Sequence, residues 1–286
     1  MKIGIDNYSY HRYFGEIYNG QRKPCYKWNL QDFMHHVNDN HIDIDAISFE
    51  TCFITLQERK ELLSILKDVD YEVIFAWGHP NGFMDVNSND ATKEIIEYIK
   101  ISNLLGQDVI RIAASSINYY NTPHSIQIDI ASKSIKKIIN IAEDYEVKLA
   151  LENHGDFYIY EMLKILENVN SEYLGITFDT GNSLRLQEDC VSALQTYGKR
   201  VLIIHAKDVA PEKGIPMSDP AYLNCTVAGK GIVNFKNVFL ELKKNKYDGM
   251  ILIEISRLHS MFEHIDETEI INRGIKYLKE LRDQIK

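Results

Sequence analysis

The 286-residue chain is 45% hydrophobic and 26% charged, with 15 Gly and 6 Pro, which excludes disordered, collagen-like and low-complexity classes. Its 32 Lys and Arg stand against 41 Asp and Glu, a net charge of −9 that would repel a phosphate backbone, so no nucleic-acid partner is expected. No apolar run approaches the roughly 18 residues of a membrane span, and no membrane partner is expected either.

The chain opens Met1-Lys2-Ile3-Gly4-Ile5-Asp6, without a cationic segment leading into a long apolar stretch and a cleavage site. A cytoplasmic location is the expectation. Cys25, Cys52, Cys190 and Cys225 lie far apart with no C-x-x-C pair, which predicts free thiols rather than a zinc knuckle or a redox pair.

Short apolar runs alternate with longer stretches of helical spacing. The runs predict strands at Lys2–Asp6, Ile44–Glu50, Tyr71–Trp77, Asp108–Ala113, Val147–Glu152, Leu174–Asp179, Arg200–His205 and Met250–Glu254. Helices are predicted near residues 28–40, 56–68, 91–105, 126–145, 159–169, 189–197, 234–245 and 267–283. Their apolar residues fall three and four apart, as in Ile135, Ile138, Ile139 and Ala142, or Ile271, Ile275, Leu278 and Leu281. Eight strand-then-helix units with strands apolar on both faces predict an α/β fold, a single-domain (β/α)8 TIM barrel over residues 1–286. An open doubly wound sheet fits the pattern less well. No G-x-G-x-x-G follows the first strand, which runs instead into Asn7-Tyr8-Ser9-Tyr10-His11.

In such a barrel the active site is built at the C-terminal ends of the strands. Four consecutive strands end there in ionisable groups: Glu152, Asp179, His205 and Glu254, each directly behind an apolar run. Three carboxylates and an imidazole converging on one mouth need a positive charge among them, and a divalent cation supplies it. Oxygen-dominated ligation with one His favours Mn2+ first, then Mg2+, with Co2+ or Zn2+ admitted.

The segments Leu151-Glu152-Asn153-His154, Phe178-Asp179-Thr180-Gly181-Asn182, His205-Ala206-Lys207-Asp208, Gly229-Lys230-Gly231-Ile232-Val233-Asn234-Phe235 and Ile253-Glu254 resemble the xylose isomerase-like TIM barrels. That superfamily holds sugar-phosphate isomerases and epimerases, ketose 3-epimerases, inosose dehydratases, hydroxypyruvate isomerases and the endonuclease IV branch. The resemblance implies that Glu152, Asp179, His205 and Glu254 are metal ligands and that Glu152 and Glu254 are also the catalytic acid/base pair. It implies a small carbohydrate substrate and a homodimer or homotetramer. A cation bound to a carbonyl and the neighbouring hydroxyl would stabilise an enediolate, with proton return deciding between epimerisation and isomerisation. Loss of a β-hydroxyl from the same species would give a dehydratase, the alternative reading. The ketose epimerases usually carry His three residues after the strand-six aspartate, where this chain has Asn182.

Further substrate-binding candidates follow from position. His154 and Lys207 lie two residues beyond Glu152 and His205, on the same side of an extended strand. Glu50 ends the second strand, Trp77-Gly78-His79 ends the third, and Arg257 stands three residues past Glu254, where it could meet a phosphate or carboxylate. Tyr8, Tyr10 and Tyr13 could wall the pocket, although ordinary loop packing explains them as well. An endonuclease IV-like enzyme would need three metals and further His ligands, yet the fourth strand ends Ile112-Ala113-Ala114-Ser115. A sugar-binding barrel that keeps its metal without turnover is the remaining alternative.

Overall fold

The structure is a computed structural model and describes residues 1–286 apart from 42, 68, 81, 85–88, 115–118, 120, 214–222 and 286. Ser115 and the predicted helix end at 68 therefore lie outside the described residues. The chain runs β1 (Lys2–Asp6), α1 (Leu30–Asn40), β2 (Ala46–Glu50), α2 (Leu56–Leu66), β3 (Glu72–Trp77), α3 (Asn89–Leu104), β4 (Val109–Ile112) and α4 (His124–Asp144). It continues β5 (Lys148–Glu152), α5 (Ile159–Val169), β6 (Leu174–Asp179), α6 (Thr180–Arg185), α7 (Cys190–Tyr197), β7 (Val201–Ala206), β8 (Val209–Pro211), β9 (Leu223–Cys225), α8 (Phe235–Lys244), β10 (Met250–Ile253) and α9 (Glu267–Ile285).

Among the described residues, eight parallel strands close in the order β1-β10-β7-β6-β5-β4-β3-β2, the (β/α)8 barrel the alternation predicts. The sequence pattern did not disclose α6 or the antiparallel pair β8–β9, which sit in the connections after β6 and β7. Both are too short to carry a periodic signal.

Strand residues alternate between two packing environments, as a period of two requires. One set, with Ile5, Phe49, Phe75, Leu151, Phe178, Ile204 and Ile253, packs under the helices. The other fills the barrel bore: Ala46, Ile74, Val109, Ala150, Ile203, Met250 and Leu252. Space in the bore is tight enough to dictate residue type at Gly4, where a Cβ would lie 1.9 Å from the Ala46 carbonyl oxygen. The helices turn apolar stripes inward, Ile270, Ile271, Ile275, Leu278 and Leu281 of α9 among them, and capping boxes at Asn29/Asp32 and Thr55/Glu58 start α1 and α2.

Period two also builds the mouth. Two residues beyond Val109, Ala150, Ile203 and Leu252 stand Arg111, Glu152, His205 and Glu254, and Asp6, Glu50 and Asp179 end β1, β2 and β6. All seven are at most 6% exposed. Apolar bore below, ionisable ring above: the chain changes chemistry within a single strand repeat.

Candidate metal centre and active site

Glu152, Asp179, His205 and Glu254 each offer a ligand atom, and these atoms lie within 4.8 Å of one another. His205 Nδ1 is 2.6 Å from Glu254 Oε2 and 3.7 Å from Glu152 Oε1. Lys207 Nζ reaches across the same point, 2.7 Å from Asp179 Oδ2 and 2.6 Å from Glu254 Oε1. Its aliphatic stem passes over Gly181, where a Cβ would meet Lys207 Cγ at 2.8 Å. On the opposite side, Arg111 Nε pairs with Glu152 Oε2, and Nη1 lies 3.5 Å from Glu50 Oε1.

Charge at this depth needs compensation. Five carboxyl groups, those of Asp6, Glu50, Glu152, Asp179 and Glu254, face two permanent cations, Arg111 and Lys207. Burial pushes the Glu50 carboxyl up to about 8, outweighing Arg111 beside it. Burial also raises Asp179 against the pull of Lys207. At Glu152 and Glu254 burial is outweighed instead, by Arg111 and His205 for the first and by Lys207 and His205 for the second, and both are held below the usual carboxylate range. Those two glutamates in turn keep the buried His205 protonated well above its ordinary range.

The donor set fits a divalent cation. Asp179 Oδ2, Glu254 Oε2 and both ring nitrogens of His205 are buried without an aligned hydrogen bond, even with Lys207 beside two of these carboxylates. Buried polar atoms are ordinarily satisfied, and a cluster of ion-paired but unaligned polar atoms at ligand spacing is what an ion would complete. His205 must lose its proton to ligate, so binding would release it.

Hydrogen bonds hold the candidate ligands in place. Asp179 N–H donates to Asn153 Oδ1 at 2.6 Å, and Asn153 Nδ2 donates to the Asp179 carbonyl and to Ser183 Oγ, both at 3.0 Å. Asp179 Oδ1 caps α6 by accepting from Asn182 N–H at 2.8 Å, which leaves Oδ2 for the site. Asn182 Nδ2 donates to Glu152 Oε1 at 3.2 Å. Asp208 accepts from four backbone N–H groups, those of Val209, Gly229, Gly231 and Val233, at 2.8–3.1 Å, pinning the glycine-rich loop beneath Lys207.

The other candidates are placed as follows. Glu50, Asn182 and Lys207 join the buried cluster. His154 is exposed at the rim, near enough to help lower the Glu152 pKa. Trp77 lies on the helix-facing side of β3, fully buried, with its ring 4.9 Å from Phe83 and 6.2 Å from half-buried His79. Arg257 is half-buried and lines a cleft of about 620 Å³ with Arg12 and Glu267. Tyr10 and Tyr13 pack around Trp28, while Tyr8 donates to Glu16 Oε1 at 2.6 Å and stacks on Phe53. All four cysteines are free.

Sequence reasoning missed Arg111 and Asp6. Arg111 carried a signal, a lone charge inside the run Val109-Ile110-Arg111-Ile112 with the parity of the bore. Asp6 sits behind Ile3-Gly4-Ile5 as Glu152, Asp179, His205 and Glu254 sit behind their own apolar runs.

No helix among the described residues is long and apolar enough to cross a membrane. An uncharacterized protein of Methanocaldococcus jannaschii is 30% identical over 161 residues, 54% of this chain and 51% of that one. The chain spans about half the length of several relatives it matches, but more of others: inosose dehydratase of Clostridium botulinum is 24% identical over 244 residues, 77% of this chain and 80% of that one. Two solved structures share the fold over nearly the whole of both chains. A D-tagatose 3-epimerase-like protein has TM-score 0.70 at 21% identity, covering 98% and 99%. D-psicose 3-epimerase from Clostridium cellulolyticum, with D-tagatose, has TM-score 0.72 at 14% identity, covering 100% of each. The model of the xylose isomerase-like TIM barrel family matches residues 54–281, well over half of the sequence, and the chain belongs to that family.

Proposed function

We propose that the protein is a divalent-metal-dependent isomerase or epimerase of a small ketose, keto acid or sugar phosphate. The observation that carries this reading is the buried group Glu152, Asp179, His205 and Glu254, whose ligand atoms lie within 4.8 Å of one another and include polar atoms without an aligned hydrogen bond. The relatives named inosose dehydratase and the neighbours named epimerases support an enzyme acting on sugars, as isomerase, epimerase or dehydratase.

Glu152, Asp179, His205 and Glu254 would hold a divalent cation, Mn2+ as first choice, whose charge would stabilise negative charge developing on a substrate oxygen. Glu152 and Glu254 reach the centre from β5 and from the end of β10, with β6 and β7 between them in the ring. Two carboxylates addressing one carbon from different sides suit removal of a proton on one face and return on the other. Both are held in the ionised form a base requires, so the glutamate that returns a proton on the second face must first take one from solvent, as the first must later release the one it removed. Lys207 and Asn182 present N–H donors to substrate oxygens. Glu50, pushed up to about 8, is protonated at neutral pH and can donate as well. His154, His79 and Arg257 are assigned to the surrounding substrate-binding wall, and Trp77, packed in the helix-facing layer, is withdrawn from it because its ring turns away from the mouth.

The 24% identity to inosose dehydratase over 80% of that protein favours a second reading, loss of water from a keto-polyol on the same residues. One experiment separates the two. Purified protein is assayed for metal per chain, then incubated with keto-sugars in D2O. About one divalent ion per chain with deuterium entering next to the carbonyl supports the isomerase or epimerase; a product lighter by one water supports the dehydratase. A chain that binds no divalent ion even when supplied overturns both.

A further inference from the structure

We infer that Asp6 is a positioning residue for the metal centre, the carboxylate that fixes the ring of His205 and selects the nitrogen it offers. The inference rests on the metal reading above and assigns a role to a residue outside the four ligands. Asp6 ends β1, fully buried, with β10 between it and β7. Its Oδ1 accepts from Tyr8 N–H at 2.8 Å and starts the 3-10 helix Asn7–Phe14. Asp179 does the same with Oδ1 for α6 and leaves Oδ2 for the site. By the same device Asp6 leaves Oδ2 facing inward, 3.7 Å from His205 Nε2 and without an aligned hydrogen bond.

The two ring nitrogens of His205 thus face different surroundings. Nδ1 makes the nearest approach to Glu152 and Glu254, at 3.7 and 2.6 Å, while the nearest approach of Asp6 is to Nε2, at 3.7 Å. A small ring rotation shortens 3.7 Å to a hydrogen bond from Nε2–H to Oδ2. A proton kept on Nε2 leaves the Nδ1 lone pair for a ligand position between the two glutamates. Carboxylates that accept from the far nitrogen of a ligating imidazole set its tautomer and raise its basicity. Capping alone does not account for the residue type, because Asn caps a helix start as well as Asp and brings no buried charge. Ser48, the register partner of Asp6 on β2, also has a buried hydroxyl without an aligned partner.

The test is Asp6→Asn, which keeps the cap through Oδ1 and replaces the acceptor facing Nε2 with a donor. Mn2+ affinity is measured by calorimetry on wild type and variant, with thermal melting of the metal-free forms as control. The expected result is a metal-free D6N that melts no lower than wild type and binds Mn2+ about 10- to 100-fold more weakly. Long-range 1H–15N spectra of Zn2+-loaded wild type, which involve no substitution, should place the His205 proton on Nε2. A proton on Nδ1, or a folded D6N with wild-type Mn2+ affinity, overturns the inference and leaves the four-ligand centre standing. A D6N that fails to fold leaves the spectrum of the wild type to decide. Wild type that binds neither ion overturns the metal reading and this inference together.

Discussion

Lys207 Nζ stands 2.6 Å from Glu254 Oε1, inside the ring of groups assigned to a metal ion. The ammonium is a fixed internal counterion for two carboxylates, Glu254 and Asp179, and is itself held charged by them well above its ordinary range. Replacing it by Met leaves two buried carboxylates without their cation. Breaking a buried pair from one side costs about 3–5 kcal/mol, so Lys207→Met should lower the melting point of the metal-free protein markedly. Added Mn2+ should restore more of that loss in the variant than it adds to wild type. Melting curves with and without Mn2+ check both effects, and equal metal-induced shifts would contradict the assignment.

Glu152 and Glu254 are the proposed proton carriers. Glu→Gln at either position keeps size but removes the base and one of its two acceptor oxygens, and a positioned acid/base group contributes about 10²- to 10⁴-fold. Glu152→Gln and Glu254→Gln should each lose turnover on that scale while circular dichroism and melting remain those of a folded barrel. Solvent deuterium exchange discriminates further, since a variant that still exchanges without completing the reaction would identify which glutamate removes the proton. Full activity in both variants would contradict the acid/base assignment.

Asp208 follows Lys207 and anchors the loop that leaves the end of β7. Its carboxylate gathers four backbone N–H groups from the loop Val209–Val233, and a Cβ at Gly231 would lie 2.2 Å from Asp208 Oδ1. Hydrogen bonds to a charged acceptor are worth about 1.5–3 kcal/mol each, with partial compensation when several are lost together. Asp208→Ala should cost on the order of 4 kcal/mol in urea unfolding, and Gly231→Ala should produce a related loss because no Cβ fits against that carboxylate.

Acid sensitivity should arise at His41. Burial lowers its pKa from 6.5 to about 4, against the pull of Asn272, whose Oδ1 lies 2.6 Å from Nδ1, and with His36 adding to the depression. Tyr10 OH lies 2.5 Å from Nε2 and Asp266 acts weakly in the opposite sense. Between those values the unfolded chain binds a proton that the folded chain does not, so stability falls as pH drops from 6.5 to about 4 and levels off below. The effect is on the order of 3 kcal/mol over that window. Urea midpoints at about pH 7 and about pH 4.5 should differ less in His41→Gln than in wild type.

The alternation of eight strands and helices and the four ionisable strand ends were legible in the chain alone, because both are written in local patterns. A period of two or 3.6 is visible within one element, and a charge behind an apolar run is visible at one residue. Asp6 obeyed that rule too and was legible on the same terms. Which of the two strand faces each residue serves depended on how the barrel closes. Parity relative to the bore admits Arg111 to the mouth and assigns Trp77, at the end of its own strand, to the helix-facing layer. Pairings such as Lys207 with Asp179, Asn182 with Glu152 and Asp6 with His205 join residues 28 to 199 positions apart. They exist because barrel closure brings β1 beside β10 and sets each strand's register, and no local periodicity encodes a register between strands that distant in the chain.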